Sequence, residues 1–373
     1  MRSALDVRAV DVAMLAEVSE PDTLTLKAPM KFISGIILAM ALCAPLAAQL
    51  RMRRMTDDEQ RDIQQAIRSL TVAANHRDAA AAKLVALPSL NVRGAGRMFD
   101  VNGLSKWSER RDEDLSKVEL ATLVRELRLF NDDVAMVDGF FRTTGWPKGD
   151  FAGDFSATVV RRDGRWLVSQ IRCEPHLNDG TFFAVTPAPR QGTDWVELLA
   201  GDSLEAFVST PGGAPPKSWS VVDGVLTLAG GGGSIRTKQT FRSFEVEWEW
   251  KTPAKGNSGL KYHMFYLTRG DAAAYEYQIA DDAGDAGAIN HPMERSGALY
   301  NQIAPSKSMV KPVGEYNRSS IIVRGRHCEH WLNGEKVVEY ETESGPLESP
   351  LLIQNHGTKI WIRKLRVRNI ADQ

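Results

Sequence analysis

The clearest hydrophobic pattern in the chain is the alternation of apolar and acidic residues from Phe244 to Trp250. Successive side chains of a β-strand point to opposite faces of its sheet, so this pattern predicts a strand with one buried face. The apolar positions are expected to face a core. The glutamates between them are expected to face solvent rather than a metal ion. Hairpin signals such as Asp223-Gly224 indicate further strands, which predicts an all-β C-terminal half.

The same two-residue periodicity groups polar side chains on the later strands. Glu276 and Gln278 share one face of their predicted strand, opposite the tyrosines that flank them. A carboxylate inside an aromatic strand is costly to bury unless it has a partner or a function, so Glu276 is the strongest candidate for a functional residue. Two more pairs share a face in the same way: Lys261 with His263, and Gln354 with His356.

The first half of the chain begins with a helical pattern. Thr56-Asp57-Asp58-Glu59 is a capping box, and Ile63, Ile67 and Leu70 follow at helical spacing. Alternating segments after this helix, joined by a turn at Asp163-Gly164, indicate antiparallel strands. We therefore predict an α+β domain followed by the all-β domain.

Chain length and a proline-containing linker indicate where these domains begin and end. A chain of 373 residues exceeds the size that one hydrophobic core usually serves. Proline and polar residues mark a linker over 181–191. We predict the α+β domain over 55–180 and the all-β domain over 192–371.

Charge and cysteine content give no reason to expect nucleic acid, an anionic membrane surface or a disulfide scaffold as part of the function. The 46 basic and 47 acidic residues nearly cancel, which gives no electrostatic reason to expect nucleic acid. A neutral ligand such as a sugar fits this balance. Cys43 precedes both domains, and Cys173 and Cys328 fall in different domains, so no disulfide framework is expected.

A leader precedes the first domain. Met30-Lys31 is a short basic start, and Phe32–Leu46 is an apolar run followed by Ala47-Ala48. This pattern predicts a signal peptide over 30–48, preceded by an upstream extension over 1–29, and export to the periplasm or outside the cell. Arginines after the run favour the alternative of retention as an anchor. Lipid attachment at Cys43 is a weaker alternative, because Leu42 stands where a small residue is expected.

Short polar motifs recur in a fixed order along the C-terminal half. They read Gly256-Asn257-Ser258-Gly259-Leu260-Lys261-Tyr262, Tyr275-Glu276-Tyr277-Gln278-Ile279, Gly297-Ala298-Leu299-Tyr300, His330-Trp331-Leu332-Asn333-Gly334 and Gln354-Asn355-His356-Gly357. The ordered set resembles the 3-keto-disaccharide hydrolase family over roughly Trp195–Ile370. The resemblance implies a concanavalin/laminin-G-like β-sandwich (jelly roll) that acts on oxidised sugars.

The N-terminal domain has a resemblance of its own. A helix followed by a curved sheet, with a turn at Asn91–Gly94 and a hairpin at Arg161–Trp166, resembles the SnoaL-like (ketosteroid-isomerase-like) cone fold. Asp138 and His76 are its acid/base candidates, although His76 is expected to be an exposed helix-end residue. We expect this domain to be an accessory module or to form a homo-oligomer.

The family resemblance implies cleavage of 3-keto-glycosides. A ketone at C3 makes the C2 proton acidic, so cleavage needs a base at C2, a group that stabilises the enolate, and an acid for the leaving oxygen. The base is Glu276 or a histidine. The enolate is stabilised by Lys261 or by a divalent metal ion held by residues such as Glu276 and His291. The candidate acids are His291, His330 and His356, and the candidate substrate-binding residues are Asn257, Ser258, Gln278, Tyr300, Gln354 and Trp331.

Two alternatives stay open at this stage. A sandwich of this kind also serves as a non-catalytic carbohydrate-binding module, and the cone domain could instead be the enzyme, with the sandwich as its targeting device. The aromatic platform of a binding module would consist of Tyr262, Tyr275, Tyr277, Tyr300 and Trp331.

Overall fold

A computed structural model describes the chain from Arg53 onward as one compact unit. The described residues are 53–94, 101–103, 117–146, 150–176, 182–183, 185, 189–345 and 347–372. The extension and signal peptide predicted over 1–48 lie outside these residues. Within the described part, no helix combines the length and apolar character needed to cross a bilayer.

The first helix forms as its sequence predicts. Helix α1 (Asp57–His76) begins with a complete capping box, in which Thr56 Oγ1 accepts from the Glu59 amide at 3.2 Å. The Glu59 carboxylate accepts in turn from the Thr56 amide at 3.1 Å. The helix ends at Arg77 in the left-handed conformation, and helix α2 (Ala79–Val85) starts at the capping residue Asp78.

The N-terminal sheet packs around α1. Its strands are β1 (Ala86–Arg93), β2 (Val101–Asn102), β3 (Glu119–Asn131), β4 (Val134–Thr144), β5 (Ala152–Arg162) and β6 (Arg165–Pro175). They lie in the order β2-β1-β6-β5-β4-β3, with β3 at one edge. The pairing is antiparallel except between β1 and β6. Ile63 and Ile67 of α1 share a core with Val137 and Phe155 of the sheet, which confirms the α+β prediction.

The C-terminal half is a sandwich of two sheets. In chain order its strands are β7 (Phe182–Phe183), β8 (Val196–Glu197), β9 (Phe207–Ser209), β10 (Trp219–Val222), β11 (Val225–Leu228), β12 (Ile235–Thr237), β13 (Phe244–Lys251), β14 (Asn257–Thr268), β15 (Ala272–Ala280), β16 (Asn317–Arg324), β17 (His327–Leu332), β18 (Glu335–Glu341), β19 (Leu352–Ile353) and β20 (Ile360–Asn369). An eight-stranded sheet runs β10-β11-β20-β13-β16-β17-β18, with β8 beside β20. A six-stranded sheet runs β15-β14-β19-β12-β9, with β7 beside β14. The all-β prediction is confirmed.

The alternation on β13 is confirmed in detail. Trp248 and Trp250 are buried between the two sheets, whereas the glutamates lie on the outer face. These carboxylates form ion pairs with neighbouring strands, for example Glu247 with Arg366 at 2.8 Å. Such partly exposed pairs contribute little stability, so the sandwich depends mainly on its apolar core.

Short helices and a shared core complete the unit. Helix α3 (Ala286–Asn290) and the 3-10 helix Pro292–Glu294 lie between β15 and β16, and another 3-10 turn spans Ala200–Asp202. The N-terminal domain packs directly on the sandwich, because Leu123 of β3 belongs to the same core cluster as the sandwich residues. Arg142 of β4 is buried and donates to the Met264 carbonyl oxygen at 2.6 Å.

Candidate functional site

A buried pair of opposite charges lies on the outer face of the six-stranded sheet. The antiparallel register of β14 and β15 places Lys261 directly opposite Glu276, so both side chains emerge on one face. Lys261 Nζ lies 3.5 Å from Glu276 Oε2. The two residues are only 6% and 7% exposed, respectively. Two strands therefore supply an amine and a carboxylate at one point.

A third charged residue completes this group. Lys261 Nζ donates to Asp271 Oδ2 at 2.7 Å and to the Ala272 carbonyl oxygen at 3.2 Å. Asp271 lies in the turn between β14 and β15, where its amide donates to Thr268 Oγ1. Asp271 belongs to none of the short motifs quoted from the sequence.

Gly259 makes room for the carboxylate. A Cβ atom built on this glycine would lie 2.0 Å from Glu276 Oε1 and 2.7 Å from its carboxyl carbon. The Glu276 side chain therefore lies across β14 at a position where any larger residue would displace its carboxylate. This contact gives the Asn257-Ser258-Gly259 motif a physical reason that the sequence alone did not supply.

The surroundings shift the proton affinities of the pair. Burial raises the pKa of Glu276 to about 7, although the charge of Lys261 opposes the shift, and Asp271 adds to it. Burial alone would lower the pKa of Lys261, but Glu276 and Asp271 outweigh it, and the pKa is raised. The amine thus stays charged while the carboxylate exchanges protons near neutrality.

Amide side chains continue the polar face. Gln278 is 1% exposed and its Nε2 donates to Asn257 Oδ1 at 3.4 Å. Asn257 Nδ2 lies 3.4 Å from Asp285 Oδ2, and Asp285 also caps helix α3. Both amides, predicted as substrate-binding residues, lie on the strands and on the sheet face that carry the charged pair.

Tyr300 borders the pair from the open edge of β15. Its backbone amide donates to the Glu276 carbonyl oxygen at 2.9 Å, and Leu299 forms a β-bridge with Tyr277. Tyr300 is 38% exposed. Partial burial of the side chain raises the pKa of Tyr300 to about 12, and the negative charges of Glu294, Glu276 and Asp285 add to the shift. The hydroxyl therefore stays protonated and can donate a hydrogen bond.

The structure places Gln354 and His356 at strand ends beside this face, whereas Ser258 alternates with Asn257 and Gly259 and points into the sandwich. Ser258 is buried and its hydroxyl donates to the Gln354 carbonyl oxygen at 2.8 Å, so that hydroxyl fixes the backbone. The backbone N–H of Gln354 donates to the Gly259 carbonyl oxygen at 2.9 Å, which holds the half-buried Gln354 next to β14. His356 is exposed in the turn that follows.

His291 lies on the loop between α3 and the 3-10 helix, where its Nε2 is 2.8 Å from Arg54 Nη2. The contact joins this loop to the start of the described chain.

The structure does not bring His330 and Trp331 to Glu276. His330 lies in the core between the sheets, where its Nε2 is 2.7 Å from the Tyr262 hydroxyl and its Nδ1 is 2.9 Å from the Gly297 carbonyl oxygen. Burial lowers its pKa to about 4. Since Tyr262 follows Lys261 on β14, it faces the opposite side of the sheet. Trp331 is one residue beyond His330, so it points to the outer face of the eight-stranded sheet and donates to Glu329.

The tyrosines expected to form a carbohydrate platform are also core residues. Tyr262 and Tyr277 are 0% exposed and Tyr275 is 4% exposed, and all three belong to the sandwich core. Of that predicted platform, only Tyr300 and the distant, half-buried Trp331 reach the surface.

Metal-ligand geometry occurs elsewhere on the sandwich. Among the described residues, His327, Glu329 and Glu339 offer ligand atoms that all lie within 4.8 Å of one another. This group is on the outer face of the eight-stranded sheet, and Lys336 Nζ already lies 2.8 Å from Glu339. The predicted metal ligands Glu276 and His291 are not part of it. Glu276 is instead paired with an amine.

The acid/base candidates of the N-terminal domain lie outside its core. His76 is exposed near the end of α1, as expected. Asp138 accepts from Ser156 Oγ at 2.6 Å and pairs with Arg128 on the outer face of the sheet. Neither candidate lies in the core that surrounds α1.

These observations define the class of protein: a two-sheet β-sandwich with a buried carboxylate–amine pair on one of its sheets. Residues 194–368 match the family model described as the 3-keto-alpha-glucoside-1,2-lyase-like domain. The resemblance predicted from the sequence motifs is therefore confirmed for this half of the chain.

Individual proteins resemble each half. A 3-keto-disaccharide hydrolase from Bacteroides thetaiotaomicron is 28% identical over 231 residues, which cover 48% of this chain and 80% of the relative. The solved structure of a proposed glycosyl hydrolase from Parabacteroides distasonis is 27% identical, with a TM-score of 0.42, and the match covers 47% of this chain and 94% of that one. An NTF-2 like protein from Shewanella oneidensis is 21% identical, with a TM-score of 0.25, over 30% of this chain and 95% of that one.

Proposed function

We propose that the C-terminal domain cleaves the glycosidic bond of 3-keto-glycosides by elimination followed by addition of water. The observation that carries this proposal is the buried Lys261–Glu276 pair, in which the pKa of the carboxylate is about 7. A base with a pKa near the working pH is suited to removing a proton from carbon. The family model and the name of the Bacteroides relative support the same substrate class.

The proposed reaction starts at C2 of the oxidised sugar. Glu276 removes the C2 proton, and the electrons of the C–H bond form an enolate whose charge resides on the C3 oxygen. The charged amine of Lys261, held between Glu276 and Asp271, stabilises that oxygen in a water-poor environment. The enolate then collapses to re-form the C3 ketone and a C1–C2 double bond, and the C1–oxygen bond breaks.

The leaving oxygen needs a proton as this bond breaks. Tyr300 is proposed as its donor because it is held beside Glu276 with its hydroxyl protonated. Water then adds across the C1–C2 double bond: its hydroxyl bonds to C1, its proton restores the Tyr300 hydroxyl, and Glu276 gives its proton to C2. The net reaction is hydrolysis, and Glu276 returns to its starting state after giving the proton back.

This mechanism separates the protein from ordinary glycosidases. Those enzymes flank the glycosidic bond with two carboxylic groups and pass through an oxocarbenium-like transition state. Here the carboxylates of Glu276 and Asp271 share one amine. Without a C3 ketone the C2 proton is not acidic, so unoxidised glycosides should not react.

The test compares oxidised and unoxidised substrates. Purified protein is incubated with 3-keto-trehalose and 3-keto-cellobiose and with the parent disaccharides, and released glucose is measured. We expect glucose release only from the keto-sugars, and no release in the Glu276→Gln variant. The matched control is Glu245→Gln, which lies on the outer face of the eight-stranded sheet. Equal cleavage of the parent sugars would refute the mechanism. Keto-sugar binding without product would favour a binding module.

A further inference from the structure

The two domains meet at a short hairpin tip that begins with Tyr300. Leu299 and Ile303 close this tip with two backbone hydrogen bonds of 3.0 and 2.9 Å, and Asn301 adopts a left-handed backbone with φ of 56°. The backbone amide of Tyr300 attaches the tip to β15, as described above. The next two side chains, Asn301 and Gln302, point away from the sandwich and into the N-terminal domain.

One stripe of helix α1 contacts these two residues. Gln60, Gln64 and Arg68 are four residues apart, so they lie on the same face of the helix. Gln64 Nε2 donates to the Asn301 carbonyl oxygen at 2.7 Å, and Gln60 Nε2 donates to Asn301 Oδ1 at 3.2 Å. Arg68 Nη2 donates to Gln302 Oε1 at 3.0 Å.

The edge strand β3 contacts them from the other side. Asn301 Nδ2 donates to the Arg125 carbonyl oxygen at 2.7 Å, and Gln302 Nε2 donates to the Val124 carbonyl oxygen at 2.5 Å. The β3–β4 register shifts between Val124 and Glu126, so these acceptors lie at a bulge. An edge strand leaves backbone groups without a partner on its outer side, and the side-chain amides of Asn301 and Gln302 supply hydrogen bonds to two of its carbonyl oxygens.

The contact is buried and its polar groups are matched. Gln64 is 2% exposed and Gln302 is 5% exposed. Buried amides are retained when their hydrogen bonds are made, and each bond then has a defined geometry. The N-terminal domain therefore fixes the position of the residue that follows Tyr300, and through the backbone it fixes Tyr300.

We propose that the N-terminal domain acts in cis as a positioning element for Tyr300, with Gln60, Gln64 and Arg68 as its positioning residues. The inference rests on the proposed function, in which Tyr300 donates a proton to the leaving oxygen. It gives the N-terminal domain a role in the reaction that the family model, which spans 194–368, does not contain.

The experiment is a double-mutant cycle. Gln64→Leu removes the donor to Asn301 at similar volume, and the matched control is Gln65→Leu, an exposed neighbour that donates to Ser69 Oγ on the same helix. kcat/KM for a 3-keto-disaccharide is measured in the wild-type and Tyr300→Phe backgrounds, at a temperature where all variants are folded. Gln60→Ala is a milder second variant in case Gln64→Leu does not fold.

If the helix acts through Tyr300, Gln64→Leu lowers kcat/KM by about tenfold in the wild type and by less than about twofold in Tyr300→Phe. Gln65→Leu leaves both values unchanged. Equal losses in the two backgrounds would overturn the proposal, because they would show that the contact acts independently of Tyr300.

Hydrogen–deuterium exchange separates this inference from the proposed function. Gln64→Leu should speed amide exchange in residues 297–303 relative to wild type and to Gln65→Leu, whether or not any substrate is turned over. Unchanged exchange would overturn the positioning role. A wild-type protein without turnover on keto-sugars would refute the proposed function, while the exchange result would still decide whether α1 holds the tip.

Discussion

Gly259→Ala tests whether the Glu276 carboxylate must lie across β14. The added methyl group would start 2.0 Å from Glu276 Oε1, whereas real Cβ contacts below 3.0 Å essentially never occur. The carboxylate must therefore move by about 1 Å, which changes its 3.5 Å contact with Lys261. Gly259 does not have a positive φ, so alanine causes no backbone strain there and the effect is confined to this contact.

The size of the effect follows from overpacking and misplacement. Inserting a methyl group into a filled site costs about 1–3 kcal/mol of unfolding free energy. A catalytic group displaced by about 1 Å loses on the order of 100-fold in rate. We expect both losses in Gly259→Ala. Gly270→Ala, in the turn between β14 and β15, is the matched control, since a Cβ there meets no atom within 4 Å.

The assay combines denaturant unfolding with keto-sugar turnover. If the clash is with Glu276, the stability loss should disappear when Gly259→Ala is made in a Glu276→Ala background, because the opposing atoms are gone. An unchanged stability loss in that background would refute the reasoning. So would full turnover in Gly259→Ala alone.

Three further predictions concern the charges and the acid. The base must be ionised, so kcat/KM should rise with pH below about 7 and level off above it; this follows from the pKa of Glu276, and a flat profile would contradict it. Lys261→Met removes a charge that lowers the pKa of Glu276, so the rise should move to higher pH. Asp271→Asn removes a charge that raises that pKa, so the rise should move to lower pH; a shift of both variants in one direction would contradict the assignment. Tyr300→Phe should slow 3-keto-disaccharides strongly but 4-nitrophenyl 3-keto-glucoside little, because nitrophenolate leaves without a proton; equal slowing of both would argue against Tyr300 as the acid.

The sequence predicted those features of the site that depend only on residues close together in the chain. Alternation correctly placed Glu276 and Gln278 on one strand face, because side-chain direction in a strand depends only on the spacing of residues. The pairing of Lys261 with Glu276 depends on the hairpin register. That register is fixed by the turn at Asp271, whose bonds to Thr268 and Lys261 no strand pattern could indicate.

The sequence could not predict which sheet each strand joins or which residues far apart in the chain come into contact. The family motifs suggested His330 and Trp331 as site residues beside Glu276. Strand periodicity could not test this, because it assigns a residue to a face but does not say which sheet of a sandwich the strand joins. The predicted tyrosine platform is wrong for a different reason: alternation separates the two faces of a strand but does not say which one meets the core, and Tyr262 and Tyr277 face the core. The bonds from α1 to Asn301 join residues about 240 positions apart, as in Gln60–Asn301, and no local pattern marks them.

Other predictions lie outside what the structure describes. Export from a signal peptide over 30–48 and self-association through the N-terminal domain both stay predictions.

A deuterium isotope effect at C2 measures the central claim most directly. A 3-keto-glucoside carrying deuterium at C2 is compared with the unlabelled sugar, using kcat/KM as the readout. Removal of that proton by Glu276 predicts clearly slower cleavage of the labelled sugar, and exchange of C2 hydrogen with solvent in the product. Equal rates for the two sugars, with the C2 deuterium fully retained in the product, would contradict the mechanism.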